Sequence, residues 1–332
     1  MRLKANLAAD GALVLTTLVW GTTFFMAKDI LTSWPPLAYM AVRFGLAAVV
    51  LVALFGRTVA RANRAEWRAG ATLGLLMGTG FALQAVGQVY TTASKSAFVT
   101  GLTTPLVPFV AFAVLRARPS VENLVGVALA TLGGLLILAP QDETGVNLGD
   151  LLTLVATTTF ALHMTLLSLY ARRHDVRRLT VLQIISIAVL VCFAWAVMRA
   201  AGAAAGLDAV PEFVARESAP LAFGARIVAQ LAYLAVVATV AVFFLWTWGQ
   251  SRTTATHAAV IFSLEPVFAT FFAVLARGPE EWMGGRGWAG AGLVFAGIIV
   301  SELRWAKRGG AVDEKDEVPD EGEVLEAERT LP

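Results

Sequence analysis

The chain is poor in the residues that soluble enzymes rely on. Of its 332 residues only 15% are Asp, Glu, Lys or Arg, with three histidines and one cysteine, Cys192. A lone cysteine excludes an intramolecular disulfide and a cysteine-based metal cluster. Neither a Walker GxxxxGK[ST] run nor an HExxH pair occurs, so the chain has no ATP engine and no zincin site of its own. Gly285, Gly287 and Gly290 fit a GxGxxG spacing, but no strand precedes them and they open an apolar run, which rejects a dinucleotide loop. No catalytic residue, metal ligand, cofactor or nucleic-acid partner is expected.

Apolar residues are what the chain has in excess: 57% of it is hydrophobic, with a mean hydropathy of +0.69. That composition describes an all-α protein crossing a lipid bilayer many times. Ten runs of spanning length fall near 8–27, 36–56, 69–90, 94–115, 121–140, 149–170, 179–199, 225–249, 255–276 and 287–304. The first reads as a retained helix, because Asp10 interrupts its start and no small-residue cleavage site follows. With the N-terminus in the cytoplasm, 16 Lys/Arg lie at inner ends and 7 at outer ends, which predicts cytoplasmic termini. Residues 309–332 hold nine acids against Lys315 and Arg329; this acidic, aromatic-free stretch reads as a disordered cytoplasmic tail. The longest outer connection, 200–224, reads as a surface segment on the membrane.

The most unusual run is Ala258 to Ala276, where Glu265 and Pro266 stand among nearly apolar residues. A carboxylate at mid-bilayer is costly unless it faces protein or water, and Pro266 takes the hydrogen-bond partner from the Phe262 carbonyl, predicting a kinked helix. The run also repeats an earlier one. Aligning 94–116 with 255–277 superposes Pro105 on Pro266 and Thr104 on Glu265, and Gly126 and Gly133 then match Gly290 and Gly297. Two five-helix halves, 8–140 and 149–305, follow. Since five is odd, they are inverted repeats with a site near the midplane around a central cavity.

The runs LVWGTTFFMAK, PPLAYMAVRFGLAAVVL, GFALQAVGQVYTTASKSAFVTGLTTPLVPF and SLEPVFATFFAVL resemble the EamA-type drug/metabolite transporter superfamily, over nearly all of residues 8–305. The nearest resemblance is to the YddG-like amino-acid exporters of bacterial inner membranes. It implies a ten-helix basket moving a small-molecule solute by alternating access in a bacterial inner membrane. Two departures are Thr158 where the first half has Trp20, and Arg118 and the displaced Glu280 or Glu281 where the family has an acid after the fourth and ninth helices.

Candidate residues for the cavity or for coupling follow. Glu265 is the titratable group, with protons as a candidate coupling partner, and Pro266 is its hinge. Arg43 offers either capture of a substrate carboxylate or, the favoured reading, a guanidinium that snorkels outward or pairs structurally. Gln84, Thr100 and Thr104 lie on polar faces that avoid lipid, either wet or bonded to other helices. His163 is a proton carrier or a buried histidine satisfied by a hydroxyl. Trp20, Phe24 and Trp246 suit an amphipathic solute. Gly70, Gly74 and Gly78 form a doubled GxxxG for close helix packing. A secondary exporter of small organic solutes, with amino acids as the candidate class, leads. A nucleotide-sugar or phosphorylated-metabolite carrier would need several cavity cations, where only Arg43 and Lys95 stand. An intramembrane enzyme would have to pair Glu265 with His163, and a structural membrane protein leaves Glu265 without a task. The sequence leaves the oligomeric state open.

Overall fold

The computed structural model describes residues 2–116, 121–138, 147–278, 282 and 284–302. The expected tail at 309–332, and Arg118, Glu280 and Glu281, lie outside these. Among the described residues there is no strand. The helices are α1 (Arg2–Leu31), α2 (Pro36–Val59), α3 (Arg64–Tyr90), α4 (Ala93–Gly101), α5 (Thr103–Leu115), α6 (Val121–Leu138), α7 (Leu148–Arg173), α8 (Val176–Ala205), α9 (Glu212–Arg216), α10 (Ala225–Ala235), α11 (Val242–Gln250), α12 (Ala255–Phe262), α13 (Glu265–Arg277) and α14 (Gly284–Glu302). A π turn, Val236–Ala241, joins α10 to α11.

Among the described residues, seven stretches are long and apolar enough to cross a membrane: Leu7–Leu31, α2, α3, Ala93–Leu115, α7, α8 and Ala225–Gln250. The three remaining expected spans correspond to α6, to α12 with α13, and to α14, each shorter or broken. Inside a bilayer every polar group needs an internal partner. Thr16, Thr17, Thr153, Thr165 and Thr180 accordingly donate to the carbonyl one turn back, at 2.7–2.9 Å.

The packing repeats itself when the halves are exchanged. α6 packs on α14 and α2 on α8, each helix against its counterpart; α1 packs on α11 and α13 as α7 packs on α3 and α5. The glycines record the same exchange. A Cβ on Gly133 would lie 2.4 Å from the Gly290 carbonyl oxygen, and one on Gly297 would lie 2.5 Å from that of Gly126. The polar contacts give the direction: Lys28, at the end of α1, donates to the Gln88 and Thr91 carbonyls, and Thr91 donates to Asp150, at the start of α7. The end of α1 and the start of α7 therefore share one end of the molecule, and these equivalent helices run opposite ways. The doubled GxxxG acts as expected: Cβ atoms on Gly70 and Gly74 would meet Leu182 and Ser186 at 2.4 Å, so α3 and α8 touch nearly backbone to backbone.

Three of the expected spans carry interruptions, while Ala93–Leu115 and Ala225–Gln250 remain long and apolar enough to cross as spans. Residues 94–115 are not one helix but α4 and α5, broken at Leu102. Residues 225–249 pass through the π turn. Pro266 does not kink a continuous helix; α12 stops at Phe262, and Pro266 occupies the first turn of α13, where a missing N–H costs nothing. The 200–224 connection holds the end of α8, a 3-10 turn at Leu207–Ala209, and α9, and it clamps the end of the molecule where α2 begins. Pro35 and Pro36 open α2 without a side-chain cap of their own, and Glu217 supplies one, accepting from the Leu37 and Ala38 N–H groups at 3.1 and 3.3 Å. Trp34 Nε1 donates to Ala222 O and Arg216 to Leu31 O.

Candidate functional site

The two broken spans cross at their breaks. Thr104 Oγ1, in the first turn of α5, donates 2.8 Å to the Ala259 carbonyl of α12, and Gly101 meets the Pro266 ring. A cavity of about 60 Å³, open at its mouth, extends from this crossing between α1, α2, α3, α7 and α11. Its wall residues Ala27, Tyr39 and Gln88 lie near the end of α1, the start of α2 and the end of α3.

Arg43 is the only Lys or Arg among the lining residues, and it does not snorkel: it is 3% exposed. Its Nε donates to Thr239 Oγ1 at 3.0 Å and its Nη1 to the Tyr39 hydroxyl at 3.1 Å, while its guanidinium lies 5.1 and 5.5 Å from the Phe44 and Phe81 rings. The cation is thus held by neutral partners, with guanidinium N–H groups to spare. Thr239 belongs to the π turn and donates in turn to Leu234 O, five residues back, at 2.8 Å. The Val242 N–H turns to the Val237 and Thr239 carbonyls, so Ala238 O is free to accept the Trp20 indole at 3.0 Å.

Glu265 lines the same cavity at the first position of α13, a favourable place for a carboxylate because the positive end of the half-helix faces it. No described residue donates a hydrogen bond to it, and no ion pair joins it to Arg43. Trp20, Phe24, Trp246, Gln84, Thr100 and Thr104 also line the cavity, with Gln84 Nε2 on Thr100 Oγ1 at 2.7 Å. Trp20 stacks on Phe262 at 5.6 Å and meets Trp246 edge-on at 4.9 Å; these three rings make the floor, and Phe243 packs against both tryptophans behind it.

Two candidates stand elsewhere. Pro266 shapes the crossing, packed on Gly101. His163 lies fully buried beneath Trp246, its Nε2 3.0 Å from Gln183 Oε1 rather than on a hydroxyl, while Gln183 Nε2 donates to Thr247. Lys95 is tied to Asp150 at 2.7 Å and does not line the cavity. Sequence reasoning missed Tyr39 and Thr239, the two partners of Arg43. Tyr39 is one helical turn from Arg43, a spacing that signals contact; Thr239, inside an apolar run, gave no signal.

The EamA-like transporter family model matches residues 7–139 and again 147–303. The chain belongs to the EamA-like transporter family. It is 28% identical over 299 residues to an uncharacterized transporter of Archaeoglobus fulgidus, covering 90% of this chain and 87% of that one. It is also 27% identical over 163 residues to the uncharacterized inner membrane transporter YedA of Escherichia coli K12, covering 48% of this chain and 53% of YedA. A solved crystal structure shares the fold, with a TM-score of 0.66 at 16% identity, covering 91% of this chain and 98% of that one. This EamA-like protein is therefore a multi-pass membrane transporter, consistent with the drug/metabolite transporter superfamily.

Proposed function

We propose that this EamA-like transporter moves a small zwitterionic solute with an apolar side chain, of the amino-acid class, by alternating access across a bacterial inner membrane. One observation carries the reading: a single cavity, walled by Trp20, Phe24, Phe81, Phe160, Trp246 and Phe262, presents one guanidinium and one carboxylate that are not paired with each other. Arg43 suits a carboxylate, which a guanidinium grips with two parallel hydrogen bonds. Glu265 suits an ammonium group, and the rings suit an apolar body. A nucleotide-sugar or phosphate-bearing solute is disfavoured, because Lys95 is committed to Asp150 and Arg43 remains the one cation among the lining residues.

The chain carries no Walker motif, so uphill movement draws on an ion gradient, with Glu265 as the proton-exchanging group. In this reading both termini are cytoplasmic, from the basic-residue asymmetry, and the inner-membrane setting follows that of YedA. The test is uptake of a panel of radiolabelled solutes into liposomes holding the purified protein, with and without a pH gradient, for the parent and Glu265→Gln. Zwitterions should enter, faster with the gradient, and Glu265→Gln should lose the dependence on it. Uptake confined to anions or sugars, or a gradient response unchanged in Glu265→Gln, would contradict the reading.

A further inference from the structure

Among the described residues the π turn stands in one half only: α3, the counterpart of the α10–α11 span in the packing exchange, runs unbroken from Arg64 to Tyr90. A π turn is one residue wound in excess, and it survives where side chains hold it. Here two cavity residues hold it, Arg43 through Thr239 and Trp20 through the Ala238 carbonyl. Beyond the turn, α11 carries Trp246 of the floor and Phe243 packed against it, and Trp246 is bonded through Gln250 to the Met164 carbonyl of α7.

We propose that Thr239 is a positioning residue that couples the cavity to its floor: an anionic group taken up by Arg43 releases Thr239, and the π turn relaxes to α-helix. The chemistry of the guanidinium supplies the competition. A guanidinium offers two edges for two parallel bonds, Nη1/Nη2 and Nε/Nη2; Tyr39 already draws on Nη1, and a carboxylate taken on the Nε/Nη2 edge competes for the atom that now holds Thr239. Losing the excess residue turns α11 by about 100° and shifts it by about 1.5 Å along its axis, enough to carry Phe243 and Trp246 off Trp20. The coupling rests on the cavity being a solute site, but the bond from Arg43 to the π turn can be tested without solute.

The experiment uses the full chain in nanodiscs with Cys192→Ala and one reporter, Ala255→Cys, at the start of α12 on the far side of the floor. Ala255 is 6% exposed, so its labelling by an impermeant maleimide reports opening there. Thr239→Val keeps the shape of the side chain but can neither accept from Arg43 nor donate to Leu234; Arg43→Met removes the same bond from the other side. Loss of a hydrogen bond to a charged group should shift the equilibrium, and so speed labelling, by about tenfold in each variant. Thr239→Ser restores both bonds and should return the rate to that of the parent. Labelling at the parental rate in either folded variant, or failure of Thr239→Ser to restore it, would overturn the coupling. If neither variant folds, the bond is a structural tie and the proposal fails. L-phenylalanine added to the parent separates the two readings: no acceleration while Thr239→Val is fast counts against the solute class, not against the device.

Discussion

Gly101 at the end of α4 lies against Pro266 in the first turn of α13; a Cβ on Gly101 would come within 2.7 Å of the proline Cγ. The two breaks thus meet, and their contact sets where Thr104 and Glu265 face the cavity. Gly101→Val should force the breaks apart at a cost of about 1–3 kcal/mol. A clear drop in melting temperature together with lost solute uptake is expected. A variant as stable and as active as the parent would show that the crossing does not position the site.

The exchange of halves makes a paired prediction. Gly133 faces Gly290 as Gly297 faces Gly126, at 2.4 and 2.5 Å for an added Cβ. Gly133→Val and Gly297→Val should therefore destabilise alike, each by about 1–3 kcal/mol. Thermal unfolding of the two purified variants checks this; tolerance of one and loss of the other would break the equivalence.

Glu217 makes a prediction about pH. Burial pushes its carboxyl above the ordinary 4.5, while the Leu37 and Ala38 N–H groups and Arg216 pull the other way. A carboxyl whose folded pKa is raised contributes stability below its unfolded pKa and loses it as pH rises through the folded one. The melting temperature of the parent minus that of Glu217→Gln should therefore fall as pH rises from about 4.5. A difference that grows with pH would mean that the cap bonds outweigh the burial.

Much of this was legible where the chain puts an unlike residue in an apolar run. Pro105 and Pro266 in register revealed the repeat, and Glu265 stood out as a candidate cavity residue, because proline and charge are rare at mid-bilayer. The breaks themselves were read as continuous or kinked helix, since a proline shows where a hydrogen bond is missing and not whether a new helix starts there. The π turn was invisible: residues 236–241, VVATVA, hold no proline, glycine or charge, and only Arg43 and Trp20 from other helices reveal its register. His163 read as a proton carrier or a buried, satisfied histidine; it is buried on Gln183. Phe160 and Met164, four apart, share the cavity face, and His163, one residue before Met164, turns sideways toward Gln183.

The central claim is that Arg43 and Glu265 read the two charges of one solute. It is tested most directly by competition for radiolabelled L-phenylalanine bound to the purified transporter, using 3-phenylpropionate, which lacks the ammonium group, and phenethylamine, which lacks the carboxylate. The account predicts that each analogue competes about tenfold or more weakly than unlabelled L-phenylalanine, since each leaves one cavity charge unmet. Either analogue competing as well as L-phenylalanine, or no L-phenylalanine binding at all, would contradict it.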